Sequence, residues 1–200
     1  KEIDQEAIKR CILAVSIVED KIKTYWSTLA LDLPQTIIGD VGGLFGQSEV
    51  THRRSYHALA EALNVDTDQI QDYEALKGRI EYLAKYVETD PKIIGKKRIL
   101  KKLVLFTSLV ERCSLFTQFY ILMSYAYRNR GLKTISALQE STAIEEDVHY
   151  SFGIDVINII KKQFPQLWDE YFVELVTDNI KVAYQSELNL IDWFFEKGVP

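Results

Sequence analysis

The chain has 200 residues, 47% of them hydrophobic, and a net charge of −5 distributed along its length. That is enough apolar material for one domain with a sizeable core, and it offers neither the basic stripe of a nucleic-acid surface nor an acidic disordered arm. No uncharged run reaches the length of a membrane span and no signal-peptide pattern is visible, so a soluble cytoplasmic protein is expected.

From residue 3 to about 31 the apolar residues recur at helical period, placing Ile8, Ile12, Val15, Ile22 and Trp26 on one stripe. Glu19 falls on that stripe, whereas Asp20 faces outward. Cys11 in this segment and Cys113 much later both sit in apolar helical pattern and read as buried, reduced thiols. Leu33-Pro34 closes the helix, and Gly39, Gly42, Gly43 and Gly46 read as a loop. A second helix over about 46–63 turns Phe45, Glu49, His52, Tyr56, Leu59 and Leu63 inward. Asp66 and Thr67 start a third, over 68–87, with Leu76, Ile80, Leu83 and Val87 inward.

After Thr89-Asp90-Pro91 a long helix is expected over 92–128. It opens with a solvated basic turn of Lys96, Lys97, Arg98, Lys101 and Lys102, then directs Val104, Ser108, Glu111, Leu115, Phe119 and Leu122 inward. Asn129-Arg130-Gly131 ends it, the glycine suiting a helix C-terminus. The segment 132–164 aligns Glu146, His149, Gly153, Val156 and Ile160, and after Pro165 an aromatic-rich amphipathic helix runs over 167–195. With no strand-like alternation and no repeat, the fold class is all-α, with residues 1–200 in one domain.

Four helices thus carry polar residues on faces that should be apolar. Glu19 and Glu111 stand alone; Glu49 with His52, and Glu146 with His149, repeat the spacing Glu-x-x-His, which puts both side chains on one helical face. A single such pair occurs often by chance, and a lone inward glutamate is commonly a salt-bridge partner. Two pairs and two single glutamates in this order resemble the ligand set of ferritin-like dinuclear carboxylate bundles. Two divalent ions would cancel the four carboxylate charges, and oxygen and imidazole donors without thiolates suit iron or manganese. Tyr56, one turn beyond His52, adds a phenol to the same face. Its bland reading is a core aromatic with a satisfied hydroxyl. His57 points about 100° away from Tyr56, and Glu61, Glu140 and Asp155 read as surface charge.

Taken together, Ser48-Glu49-Val50-Thr51-His52-Arg53-Arg54-Ser55-Tyr56, Val110-Glu111-Arg112 and Glu146-Asp147-Val148-His149 resemble the small, radical-generating subunit (R2, or beta) of class I ribonucleotide reductase. The resemblance implies a ferritin-like bundle with Glu19, Glu49, His52, Glu111, Glu146 and His149 as ligands of two manganese ions, two iron ions or a mixed pair. Tyr56 takes the position of the tyrosine that many members oxidise, shielded by Leu115 and Phe119. It implies a large catalytic subunit as partner, a homodimer, no nucleic acid and no membrane, and a C-terminal tail beyond Pro200. Glu19 stands where many radical-tyrosine members have Asp, Glu145 where the relay usually has Asp, and Arg53 and Arg54 make the surroundings of Tyr56 basic. These departures favour a manganese centre in which the metals hold the oxidising equivalent. No relay tryptophan is identifiable upstream of Glu19. An R2-like di-metal oxidase, a ferritin-type iron-storage protein and a metal-free scaffold are the alternatives.

Overall fold

The structure, a computed structural model, describes residues 2–22, 24–87 and 95–198; the side chains of residues 20–22, 68, 69, 71 and 85–87 lie outside the description. The expectations for Asp20, Ile22, Val87, Lys92 and the break at Thr89-Asp90-Pro91 fall outside it too. Amphipathic periodicity yields helices α1 (Glu2–Ile22), α2 (Leu29–Asp32), α3 (Thr36–Ala62), α4 (Glu74–Val87), α5 (Lys96–Leu105), α6 (Phe116–Tyr127), α7 (Lys133–Gln163) and α8 (Glu170–Phe194). A π-helix, Phe106–Ser114, joins α5 to α6, and short 3-10 turns occupy Trp26–Thr28, Thr67–Asp72 and Pro165–Leu167. Among the described residues there is no strand, and no helix is long and apolar enough to cross a membrane.

Helix α1 packs on α3, α7 packs on α6 and on the π-helix, and α4 packs on α8. Apolar side chains fill two adjoining regions of the core. One gathers Val15, Val18, Trp26, Tyr56, Phe119 and Phe172; the other gathers Cys11, Ile12, Leu76, Leu122 and Phe194. Beside them Arg79 and Glu187 form a buried bidentate pair, with Arg79 Nε 3.1 Å from Glu187 Oε1, that ties α4 to α8. Tyr82 joins the pair through Glu187 and reaches Ser114 at the end of the π-helix. Asp169 caps α8, its carboxylate accepting from the Phe172 N–H at 2.9 Å. The architecture is an all-α, ferritin-like bundle.

Four local expectations are corrected. The glycine-rich stretch is not a loop: Gly39, Gly42, Gly43 and Gly46 lie inside α3. Helical propensity disfavours them, but packing compensates. A Cβ on Gly39 would sit 2.8 Å from Ala30 Cβ, and Cβ atoms on Gly42 and Gly46 would collide with Trp26 O and Ser27 Oγ. The glycines form a groove in which residues 26–30 lie. The long helix expected over 92–128 is interrupted by the π-helix, whose wider turns change which side chains face inward. Thr107 is buried in place of the half-buried Ser108, and Cys113 is exposed. Lys101 in the basic turn is buried, with only the head of that turn solvated. Residues 67–72, expected to begin a helix, wind instead as a 3-10 turn before α4.

Candidate metal centre

The helical register brings six polar side chains from four segments to one place in the core. Glu19 comes from α1, Glu49 and His52 from α3, Glu111 from the π-helix, and Glu146 and His149 from α7. All four glutamates are fully shielded from solvent and both imidazoles nearly so. The imidazole ring centres lie 6.5 Å apart, less than the diameter of one helix, about 10 Å. Both Nδ1 atoms face the carboxylates. His52 Nδ1 is 3.1 Å from Glu146 Oε1 and 3.5 Å from Glu49 Oε2; His149 Nδ1 is 2.9 Å from Glu146 Oε2, 3.1 Å from Glu49 Oε1 and 3.8 Å from Glu111 Oε2.

Donor atoms fall into two sets compatible with one ion each. One is Glu49, Glu111, Glu146 and His149; the other is Glu19, His52 and Glu146, with the donor atoms of each set within 4.8 Å of one another. Glu146 belongs to both, each of its oxygens facing a different imidazole.

Burying carboxylates without partners is expensive, and the cluster has many such atoms. Both oxygens of Glu19 and of Glu49, Glu111 Oε2, Glu146 Oε1 and His52 Nδ1 are buried without a well-formed hydrogen bond. Protein groups leave them unsatisfied; divalent cations would satisfy them, and the all-oxygen and imidazole donor set fits iron or manganese.

The cluster shifts the proton affinities of its own members in opposite directions. Burial, reinforced by Glu49 and Glu146, raises the Glu19 carboxyl well above the usual carboxylate range. Burial and the Glu146 charge do the same to Glu111. For Glu146 burial works the same way, but hydrogen bonds from His149 and His52 outweigh it and bring the carboxyl to about 2. The imidazoles are the counterpart. Burial opposes their charge, yet hydrogen bonds to Glu146 and Glu49 push His52 up to about 11, and bonds to Glu111 and Glu146 push His149 up to about 12.

Tyr56 is fully buried one turn from His52, and its hydroxyl donates to Gln139 Oε1 at 2.9 Å with Thr142 Oγ1 at 3.3 Å. Its ring lies parallel to Phe119, centres 6.4 Å apart, and Leu115 is likewise buried. Burial, followed by the Glu19 charge, holds the phenol well above its ordinary pKa. Glu145 lies at the rim, 48% exposed, with Oε2 3.1 Å from His52 Nε2 and accepting from Ser48 Oγ. It orients His52 from outside the cluster. Arg112 and Asp147, the residues next to Glu111 and Glu146, pair across the same rim.

Several participants escape sequence reasoning. Trp26 reads there as one more apolar stripe residue, yet its indole N–H donates to Glu111 Oε1 at 2.5 Å. The available signal was that a buried indole N–H needs an acceptor. Gln139 and Thr142 lie on the buried face of α7 two turns and one turn before Glu146, where their partner Tyr56 could have been inferred only from the fold.

Comparison with known proteins bears on the same residues. The family model described as ribonucleotide reductase, small chain, matches residues 1–200. Among curated proteins the chain is similar to the ribonucleoside-diphosphate reductase subunit beta of Chlamydia pneumoniae, with 23% identity over 164 residues, covering 76% of this chain and 46% of that protein. The chain spans about half the length of the curated relative it matches.

Proposed function

The chain belongs to the ribonucleotide reductase small-chain family, and on that basis we propose that it is the oxidant-generating part of a class I ribonucleoside-diphosphate reductase, acting with a separate large subunit that reduces the nucleotide. The observation that carries the reading is the buried convergence of Glu19, Glu49, His52, Glu111, Glu146 and His149, with Glu146 common to two donor sets. These six residues would hold two manganese ions, two iron ions or one of each. Residues 1–200 form one ferritin-like unit, the functional protein is a homodimer, and it works in the cytoplasm. A different di-metal oxidase would use the same ligands; the small-chain family match favours the reductase.

Two such ions, when bound, supply one-electron oxidising chemistry that none of these side chains possesses. The protein's part is positioning, exclusion of water and control of protons. The four carboxylates present a charge of −4 that two divalent ions balance, so the buried site is neutral when filled. Glu145 holds the Nε2 side of His52, leaving Nδ1 to face the cluster. Leu115, Phe119 and the body of Trp26 keep water from the centre.

Tyr56 is the side chain suited by position to be oxidised. A phenol that loses an electron must also release its proton, and the atoms facing this hydroxyl are an amide oxygen and an alcohol, neither of them a base. This supports a centre whose oxidising equivalent stays with the metals, as the Glu19 and Glu145 departures also favour. The test is anaerobic loading with manganese or iron, exposure to oxygen or superoxide, and addition of the large subunit, with electron paramagnetic resonance and deoxynucleotide formation as readouts. The expected result is nucleotide reduction that survives Tyr56→Phe and a metal-centred signal unchanged by that substitution. Failure of every metal and oxidant combination to support reduction would overturn the assignment.

A further inference from the structure

We propose that Trp26 is a positioning residue for the metal centre: its indole N–H fixes Glu111 so that one carboxylate oxygen is held by protein and the other is presented to an ion. The inference rests on the reading of Glu111 as a ligand. Trp26 is completely buried, and its Nε1 lies 2.5 Å from Glu111 Oε1, while Glu111 Oε2 is turned into the cluster, 3.8 Å from His149 Nδ1 and without a well-formed hydrogen bond. The two oxygens of one carboxylate therefore have different surroundings. A carboxylate with both oxygens free can swing between one-oxygen and two-oxygen coordination; one tied by a donor in a fixed ring is restricted.

The indole is itself locked. Its ring centre lies 5.3 Å from Tyr25, 5.3 Å from Phe45 and 5.6 Å from Phe106, each in an edge-to-face arrangement, and 5.8 Å from the His149 imidazole. Tyr25 stacks on Phe106 at 3.7 Å, so the first residue of the π-helix is braced against the segment that carries Trp26. The backbone behind Trp26 lies in the groove of α3 formed by Gly39, Gly42 and Gly46, where a Cβ on Gly42 would strike Trp26 O.

That groove explains why the donor comes from this segment. Glu111 sits on a π-helix, whose wider turns give its side chain a less regular support than an α-helix would. Trp26 supplies the missing fixed point from a neighbouring element. Outer contacts of this kind orient the ligand, and their loss typically costs about 10–100-fold in metal affinity.

The experiment compares the parent chain with Trp26→Phe, which removes the N–H and keeps an aromatic ring, and with Leu29→Ala, a core change in the same segment that touches no carboxylate. Manganese(II) and cobalt(II) binding are followed by calorimetry, the cobalt ligand-field absorption reports coordination, and thermal unfolding tracks stability. The expected result is that Trp26→Phe weakens one of two ions about 10–100-fold, as lost second-layer contacts do, and shifts the cobalt bands. Leu29→Ala should lower stability and leave the bands in place. Metal-dependent quenching of indole fluorescence, strong in the parent, should vanish in Trp26→Phe although Trp168 and Trp193 remain. Unchanged bands and affinities in Trp26→Phe, or the same shift in Leu29→Ala, would overturn the role of Trp26 while leaving the ligand set intact. A parent chain that binds no ion would instead overturn the ligand reading and this inference with it.

Discussion

A carboxylate removed from water must find a cation, a proton or several donors, and at the scale of single residues that requirement governs the cluster. It made the six ligand candidates legible: Glu19 and Glu111 interrupt stripes that should be wholly apolar, and the two Glu-x-x-His pairs stack donors on one face. The same reasoning missed Trp26, because an aromatic on an apolar stripe fulfils the pattern and hides its N–H. The two donor sets give a residue-level prediction. By metal analysis of the dialysed protein, Glu19→Ala should retain one of two ions and Glu146→Ala should lose both. Equal retention in the two variants would argue against a shared Glu146. Tyr56→Phe removes the donor to Gln139 and leaves a buried amide oxygen without it, so it should cost about 1–3 kcal/mol in urea unfolding and leave metal content at two.

At the scale of elements, what the sequence concealed was how helices meet. Glycine normally signals a break, and Gly39, Gly42 and Gly46 look like one in sequence; their spacing of three and four also describes one face of a helix, and only knowledge of the segment packed there separates the two. The π-helix was equally hidden. Residues 106–114 carry an α-helical pattern in which nothing signals the wider turns that the segment adopts. Gly153 on α7 shows how closely the segment is packed, since a Cβ there would lie 3.0 Å from Thr107 Cβ and closer still to its outer atoms. Gly153→Ala should therefore force α7 and the π-helix apart. Overpacking of this kind costs about 1–3 kcal/mol. Because His149 lies one turn away on α7, metal affinity should fall along with the melting temperature. A variant that binds metal normally with unchanged stability would show that the two elements do not depend on this contact.

For the whole molecule, the fold keeps four carboxylates and two imidazoles together and out of water. The all-α class was readable from periodicity, since one helix-forming pattern follows another with no competing strand signal, and the inward faces were readable where the helices stay regular. Loading with divalent ions should be coupled to proton release, because hydrogen bonds to the carboxylates raise His52 to about 11 and His149 to about 12 and burial raises the Glu19 and Glu111 carboxyls well above their usual range. The sign follows directly: protons compete with metal, so affinity should rise with pH across the neutral range and fall on acidification. Calorimetry in buffers of different ionisation enthalpy should report proton release on binding; an uptake, or a pH-independent affinity, would contradict the electrostatic account. Binding should also raise stability, by about 2.7 kcal/mol for each site at one hundred times its dissociation constant.

The claim beneath all of this is that six side chains from α1, α3, the π-helix and α7 enclose a pair of cations. Its most direct test is the anomalous scattering of crystals of the manganese-loaded protein, collected at the manganese edge. The account predicts two peaks per chain inside the cluster, one against Glu19 and His52, the other against Glu49, Glu111 and His149, with Glu146 reaching both. A single peak, or peaks outside these six residues, would contradict it.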